Sequence, residues 1–415
     1  MKKDTKNLKC GLIGKPLGHS YSPQIHALLG DYRYDLTELD ENEVGDFLKN
    51  GDFDAINVTI PYKKTVMPFL DEISPMARAV GSVNTIVRRG DGTLFGHNTD
   101  FFGFSYMLDK GKIDITGKKV LILGTGGASM TAQAVAAHRN AREIVLISRS
   151  GENNYGNLNR HSDCDVIINT TPVGMYPNNG VSPVPLDVFP KLSGVVDVIY
   201  NPEKTALILD AAERGIRCIS GLYMLSAQAK EAAEYFTGEK IDDSVIDVIV
   251  KRINFDLKNI ALIGMPGVGK TTIGKAIAEK TGKKFADTDE LITEKAEVSI
   301  PDIFAKYGEE KFRDIESGVL EEISKKSGYV IACGGGIVLR KENRRYLTQN
   351  STVVFLKRDL SLLARDGRPL SANADLRAMY DRRLPFYADA ADITLDITSD
   401  ACENAEAVIK AVAEH

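Results

Sequence analysis

The sequence predicts an α/β protein of more than one domain with parallel sheets, and three observations carry that expectation. Two stretches run strand, glycine-rich turn, helix: residues 119–123 before Gly124-Thr125-Gly126-Gly127-Ala128, and residues 260–263 before the turn 264–272. Short apolar runs alternate with helical segments in both halves, as in strands joined by crossover helices. At 415 residues the chain also exceeds one ordinary domain, for which about 150 residues is the usual scale.

Composition suits a globular chain: 43% of residues are hydrophobic, 26% are charged, and the formal net charge is -5. So mild an acidic balance gives no electrostatic reason to expect nucleic acid or an anionic membrane as partner. An anionic substrate must then be captured by local basic groups. The five cysteines, Cys10, Cys164, Cys218, Cys333 and Cys402, are odd in number and too scattered for a metal-binding knuckle. Free thiols in a reducing cytoplasm are expected. The N-terminal MKKDTKNLKC leads into no long apolar run, so neither a signal peptide nor a bilayer-spanning stretch is expected. Oligomeric state is left open. Residues 246–257 join the halves without a Gly, Pro or Ser run, which argues against a long flexible linker. The boundary is placed near residue 254, between domains 1–254 and 257–415.

In the first half, a glycine-rich turn after a strand is a weak sign, because a plain strand-to-helix connection also uses it. The next apolar run helps decide. It spans 143–147 and ends in Ser148-Arg149-Ser150. An acidic residue there would accept ribose hydroxyls; hydroxyls and an arginine suit a 2′-phosphate, so the expected cofactor is NADP. Upstream, four clusters crowd hydroxyls and amides: 14–26 with Ser20 and Ser22, 57–63 with Thr59, 81–85 with Asn84, and Asn98-Thr99-Asp100. Such groups bond a polyhydroxylated acid. Oxidising a secondary alcohol needs a proton acceptor beside the carbon that loses hydride, a part Lys63 beside Asp100 would fill. Singly, each residue is ordinary: Lys63 a solvated lysine, Asp100 a cap for the helix starting at Phe101, the serines turn residues.

These clusters are followed in order by Ile168-Asn169-Thr170-Thr171-Pro172-Val173-Gly174-Met175, by the stretch 197–205, and by Gly221-Leu222-Tyr223-Met224-Leu225 with Gln228. The whole order resembles shikimate dehydrogenase over the first part of the chain, about 250 residues. The resemblance implies a substrate domain (about 1–100 and 222–250) and a Rossmann-like NADP domain (about 101–221). It implies that Ser20, Ser22, Thr59, Asn84, Asp100, Tyr200 and Gln228 hold the substrate and that Lys63 transfers the proton. It also implies that Gly124, Thr125, Gly126, Gly127, Ala128, Ser148, Arg149 and Ser150 hold NADP(H), with Gly221 near the nicotinamide. One stretch departs from the family. Residues 149–165 are short, so a helix and a strand of the cofactor domain are expected to be missing. Gly151, Glu152 and Asn153 stand where a second basic residue is frequent.

In the second half, Gly264-x-x-x-x-Gly269-Lys270-Thr271 is a full P-loop signature and a strong sign of a nucleoside triphosphate site. Gly267, Val268, Gly269, Lys270, Thr271 and Thr272 are the expected nucleotide contacts, with Lys270 at the β/γ oxygens and the Thr271 hydroxyl on Mg2+. Asp287-Thr288-Asp289 closes the next apolar run. Carboxylates one residue apart at a strand end face one way; one would serve the metal and the other orient an attacking hydroxyl. Two helix-capping aspartates are the ordinary alternative. Then come Arg313 within 303–316, Cys333-Gly334-Gly335-Gly336, Arg368-Pro369-Leu370, and Arg383-Leu384-Pro385-Phe386-Tyr387. Arginines clamp carboxylates, and consecutive glycines admit a ligand close to the backbone; surface arginines and a bare turn are the ordinary readings.

This ordered set resembles shikimate kinase over 257–415. By that resemblance Asp289, Arg313, Gly335 and Arg383 bind shikimate, and Lys270 and Asp289 serve catalysis. Asp287 is the Mg2+-associated carboxylate, and Arg368 meets ATP from a lid. Only Asp366 and Gly367 separate Arg365 from Arg368, so the lid is short. The combined expectation is a bifunctional cytoplasmic enzyme that reduces 3-dehydroshikimate with NADPH and phosphorylates shikimate with MgATP. Two alternatives stay open: a regulator that binds these metabolites without turnover, and a chain whose kinase half alone is active. The intact Lys63, Asp100, Lys270, Asp287 and Asp289 weigh against a pure binder.

Overall fold

The structure, a computed structural model, describes residues 5–18, 20–363 and 376–415. The chain divides into two compact units. Met1–Gly174, Gly180–Tyr200 and Thr205–Val250 form the first; Met175–Asn179, Asn201–Lys204 and Lys251–His415 form the second. The helix Ser244–Leu257 runs unbroken through the position expected for the boundary.

The first unit holds two sheets. One contains β1 (Lys9–Gly14), β2 (Arg33–Glu38), β3 (Ala55–Val58), β4 (Glu72–Ile73), β5 (Thr85–Arg88) and β6 (Leu94–His97), in the order β2-β1-β3-β5-β6-β4. It is mixed: β1 runs parallel to β2 and β3, whereas β5 is antiparallel to both β3 and β6. The antiparallel β3–β5–β6 ladder matters for the site, because it sets Asn57 opposite Thr85 and Thr85 opposite His97. The polar 98–100 corner therefore leaves the sheet beside Asn84.

The other sheet is wholly parallel: β7 (Lys119–Leu123), β8 (Glu143–Ile147), β9 (Val166–Asn169), β10 (Gly194–Asp197) and β11 (Arg217–Ser220), in the order β11-β10-β9-β7-β8. Side chains alternate between faces along a strand, and here both faces are buried. Leu121, Leu123, Ile167 and Val195 pack on one side with Leu207 and Ala211, while Val120, Ile122, Val166 and Val196 pack on the other with Phe104, Met107 and Val135. That is why these strands read as unbroken apolar runs. The sheet ends at β8. Between β8 and β9 the chain makes one 3-10 turn, Leu158–His161, and a single bridge, Ser148 to Asn154. Among the described residues no further strand or α-helix occupies this stretch, as its length led us to expect.

In the second unit β12 (Asn259–Ile263), β13 (Lys284–Asp287), β14 (Tyr329–Ala332), β15 (Ser351–Lys357) and β16 (Ile393–Asp396) form a parallel sheet ordered β13-β14-β12-β15-β16. The central strand β12 is buried along its whole length. Its neighbours are β14 and β15, so the turn after β12 opens where successive connections leave to opposite sides, the usual ligand crevice of an open α/β sheet. All five cysteines are free, and Cys402 is exposed. No helix among the described residues is long and apolar enough to cross a membrane.

Candidate active sites

The first site is built where the helices Asp100–Lys110 and Leu222–Thr237 pack on each other. Gly103 permits the close approach: a Cβ there would lie 2.6 Å from the Met224 carbonyl oxygen and 2.9 Å from the Gln228 Cβ. Gln228 is thereby brought to the start of the partner helix, where the Thr99 hydroxyl donates to its Oε1 at 3.4 Å. Asp100 begins that helix, but its carboxylate is not used as a cap. Asn98 Oδ1 takes the Phe101 N–H at 3.2 Å. The Asp100 carboxylate instead accepts from Lys63 Nζ at 2.6 Å, and the two side chains keep only 12% and 24% exposure. Lys63 is therefore no solvated surface lysine.

Around this pair a polar relay runs through the interior. Asn84 Oδ1 accepts the Thr99 N–H at 2.8 Å and its Nδ2 donates to Thr99 Oγ1 at 3.0 Å. Asn57 Nδ2 donates to the Asn84 carbonyl and to Thr85 Oγ1, both at 3.2 Å. Tyr34 donates to Asn57 Oδ1 at 2.8 Å. Tyr34, Asn57, Asn84, Thr99 and Gln228 are thus tied into one assembly, and Asp100, the partner of Lys63, follows Thr99 directly in the chain. Ser20 accepts the Ser22 N–H at 3.3 Å. Thr59 sits against Gly14, whose Cβ would lie 2.3 Å from the Thr59 methyl. Tyr200 meets Tyr21 edge-on at 6.0 Å. Tyr34 and Thr99 went unassigned in the sequence; Tyr34 is half-buried on β2 and acts on a residue of another strand, which leaves no local pattern.

At the glycine-rich turn Gly124 takes φ +102°, and the helix Gly127–His138 starts directly after Gly126. Nothing lies within 4 Å of where a Cβ on Gly126 or Gly127 would stand. That open space over a helix N-terminus fits a pyrophosphate. At the end of β8 the Ser148 hydroxyl accepts the Gly151 N–H at 2.8 Å, and Asn154 and Asn157 lace the loop with further hydrogen bonds. Arg149 and Ser150 are exposed. Gly221 is wedged under Val198, whose carbonyl oxygen would be 2.0 Å from a Cβ.

The second site is a cavity of about 820 Å³ lined by the P-loop, Asp287, Asp289, Arg313, Glu316, the glycines 334–336 and Arg383. Gly264, Gly267 and Gly269 take φ of +146°, +85° and +104°, a backbone course that L side chains resist. The helix Lys270–Thr281 starts at their end. Lys270 Nζ donates to the Gly264 and Met265 carbonyls at 2.9 and 3.0 Å, and the Thr271 hydroxyl donates to Asp287 Oδ2 at 2.7 Å. The paired aspartates correct the expectation for them. β13 ends at Asp287, and Asp289 lies in the first turn of the helix Thr288–Ala296, with its N–H bonded to Asp287 Oδ1 at 2.9 Å. The strand-alternation argument therefore does not apply. A helix turn, capped by Asp287, brings both to the cavity. Among the described residues no cluster of three or more His, Cys, Asp or Glu could hold a metal ion; Thr271 with Asp287 fits an Mg2+ that takes its other ligands from phosphate and water.

Arg313 is buried and forms an ion pair with Glu316 Oε2 at 2.7 Å. Burial raises the Glu316 carboxyl above its usual range, and Arg313 pulls it back. Arg383 is buried too: Nη1 donates to the Gly335 carbonyl at 3.0 Å, while Nε has no partner among the described residues. The three glycines give room to different neighbours. A Cβ on Gly334 would stand 2.9 Å from Asp289 Oδ1, on Gly335 2.7 Å from the Pro266 ring, and on Gly336 2.4 Å from Arg313 Nη1. Glu316 was missed in the sequence, although a carboxylate three residues after an arginine is a helical neighbour. Arg368, with Arg365, Asp366 and Gly367, lies outside the described residues.

The folds and sites define an oxidoreductase of the nicotinamide type followed by a P-loop kinase. Residues 12–86 match the family model described as shikimate dehydrogenase substrate binding domain, and residues 266–413 match the model described as shikimate kinase. The chain is 38% identical over 264 residues to a shikimate dehydrogenase (NADP(+)) of Clostridium perfringens, spanning 59% of this chain and 97% of that protein. It is 39% identical over 272 residues to one of Halothermothrix orenii, covering 57% and 93%. Among solved structures, a chorismate mutase/shikimate 5-dehydrogenase fusion from Clostridium acetobutylicum matches with TM-score 0.57, 37% identity and coverage of 60% and 97%. A Thermus thermophilus shikimate 5-dehydrogenase solved with NADP(H) and shikimate matches with TM-score 0.53, 28% identity and coverage of 59% and 99%. The chain belongs to the shikimate dehydrogenase family and carries a shikimate kinase domain in its C-terminal part.

Proposed function

We propose that the chain catalyses two consecutive reactions: reduction of 3-dehydroshikimate to shikimate, and phosphorylation of shikimate at its 3-hydroxyl. The observation that carries the proposal is that each unit keeps its chemical groups paired and sheltered. Lys63 lies 2.6 Å from Asp100 in the first, and Lys270, Thr271, Asp287, Asp289 and two buried arginines meet at one cavity in the second. When bound, NADPH supplies hydride to the first site and MgATP the phosphoryl group to the second. The open turn at Gly126 and Gly127 would receive the dinucleotide, and Arg149 would meet its 2′-phosphate.

In the first site the Lys63 ammonium would hold the substrate oxygen and give it a proton as the alcohol forms, or take the proton back in the reverse direction. Asp100 orients the ammonium and compensates its charge. Ser20, Ser22, Thr59, Asn84, Tyr200 and Gln228 would bond the ring hydroxyls and carboxylate. In the second site Arg313, held by Glu316, and Arg383 would clamp the carboxylate. Asp289 would hold the attacking hydroxyl in line, Lys270 would neutralise charge on the transferring group, and Thr271 with Asp287 would hold the metal. The test is both steady-state activities on one purified preparation, with calorimetry for shikimate and NADP. Binding without either reaction would establish the regulator instead.

A further inference from the structure

The acceptor cavity of the second unit is backed by a residue that does not line it. Tyr387 is fully buried, with its ring stacked on Phe355 at 4.9 Å between centroids and 21° between planes. Its phenol donates to the Gly335 carbonyl at 2.5 Å. Arg383, one helical turn earlier, donates to the same oxygen through Nη1 at 3.0 Å. Residues four apart share a helix face, so the helix Leu376–Ala390 delivers two donors to one atom. A carbonyl oxygen has two lone pairs, and both have a donor here. Burial pushes the Tyr387 phenol up to about 12, so it remains a donor through the neutral range.

The peptide gripped in this way is not an arbitrary one. Gly335 abuts the P-loop through the Pro266 ring, and Gly336 lines the cavity beside the Arg313 guanidinium. A trans peptide is planar with its C=O and N–H on opposite sides. Drawing the Gly335 oxygen toward the helix therefore turns the Gly336 N–H away from the helix. The same oxygen anchors one edge of the Arg383 guanidinium, whose Nε is buried without a partner among the described residues. The P-loop has supports of its own, from Lys270 to the Gly264 and Met265 carbonyls and from Thr271 to Asp287.

We infer that Tyr387 is a positioning residue for the phosphoryl acceptor: by sharing the Gly335 carbonyl with Arg383 it orients the 335–336 peptide and the arginine toward a carboxylated, hydroxylated ligand without touching it. This rests on the kinase reading above. Losing the phenol O–H leaves the Gly335 oxygen with one donor and frees both the peptide and the arginine to rotate. The effect falls on the acceptor, because the nucleotide side is held independently.

The test uses the full chain carrying Tyr387→Phe, which keeps the ring stack. Shikimate and ATP are each varied in the kinase assay, and ADP binding is measured by calorimetry. The shikimate KM should rise about tenfold, with the ATP KM and the ADP affinity within about twofold of wild type. An unchanged shikimate KM overturns the inference, and so does an equal rise in both KM values, which would mean general loosening. A second arm compares Arg383→Lys, Tyr387→Phe and the double variant. Donors acting through one carbonyl are coupled, so the double variant should fall short of the product of the single effects by about threefold or more; strict multiplicativity overturns the inference. If wild type binds ADP but phosphorylates no shikimate, the kinase reading itself has failed, and this inference goes with it.

Discussion

Replacing Lys63 with methionine tests whether the two chemistries are separate. Lys63 and Asp100 are 2.6 Å apart with most of each side chain shielded from water. Breaking a fully buried pair costs about 3–5 kcal/mol, and an exposed pair contributes about 0–1. This partly shielded pair should fall between, at about 1–2 kcal/mol, within the stability of an ordinary domain of about 5–15 kcal/mol. Lys63→Met should therefore fold. Removing a positioned proton-transfer group lowers the rate by about 10²–10⁴-fold, or about 2.7–5.4 kcal/mol of barrier at 1.36 kcal/mol per tenfold. The assay follows NADPH oxidation with 3-dehydroshikimate and, on the same preparation, ADP release with shikimate and ATP. Dehydrogenase kcat should drop by that factor while the kinase stays within about twofold, because no P-loop residue depends on Lys63. A folded variant that keeps more than about a tenth of its dehydrogenase turnover, or loses both activities, would refute the reasoning.

Arg149, exposed at the end of β8 with no acidic neighbour, should confer preference for NADP over NAD; equal kcat/KM for the two cofactors in wild type, or an unchanged ratio in Arg149→Ala, would count against it. The short stretch between Arg365 and Arg368 should let ATP react with water, seen as phosphate release without shikimate, and an undetectable basal rate would show that closure is adequate. Glu231 makes stability depend on pH. Burial, with Glu234 and Asp100 nearby, pushes its carboxyl up to about 8 against the pull of Lys240 and Lys230, while His97, 4.0 Å away, is pushed down to about 4. The folded state thus holds this proton more tightly than the unfolded chain. The stability it contributes is complete below the ordinary value of 4.5 and is lost as pH rises through about 8. The melting temperature of Glu231→Gln should gain on wild type between about pH 5 and pH 9, and a constant difference would refute this.

Both glycine-rich turns were legible because local signals coincide there: an apolar run, glycines, then a helix-forming segment. The missing strand beside β8 was also legible, since the stretch between β8 and β9 is too short to hold it. The loop that replaces it was not, because Ser148, Asn154 and Asn157 stabilise it by irregular side-chain bonds that obey no period. Asp287 and Asp289 were read as a pair facing one way at a strand end, which is the wrong geometry. The Asp287 side chain caps a helix that already starts at Thr288, so Asp289 lies on a helical turn and not on the strand. Tyr34 was not singled out, and Tyr387 stood only at the end of the Arg383 stretch without a role, for a further reason. Each is an aromatic residue packed on or in the core whose single polar atom acts at a distance in sequence, on Asn57 and on Gly335. Nothing local distinguishes such a tyrosine from one that only packs.

The three glycines at 334–336 limit how the kinase cavity can change its preference. A methyl group at Gly335 meets the rigid Pro266 ring, and at Gly334 or Gly336 it displaces the Asp289 carboxylate or the Arg313 guanidinium. Arg313 cannot swing aside without loss, for it is tied to Glu316. A side chain at Gly335 or Gly336 is thus opposed by the cavity's own residues, which makes this loop a poor place for divergence toward another acceptor. Another part of the lining is different. Ile300, Phe304 and Phe312 are apolar side chains whose size can be exchanged by degrees. Directed evolution of a new acceptor should accumulate its substitutions there and leave the glycine loop untouched.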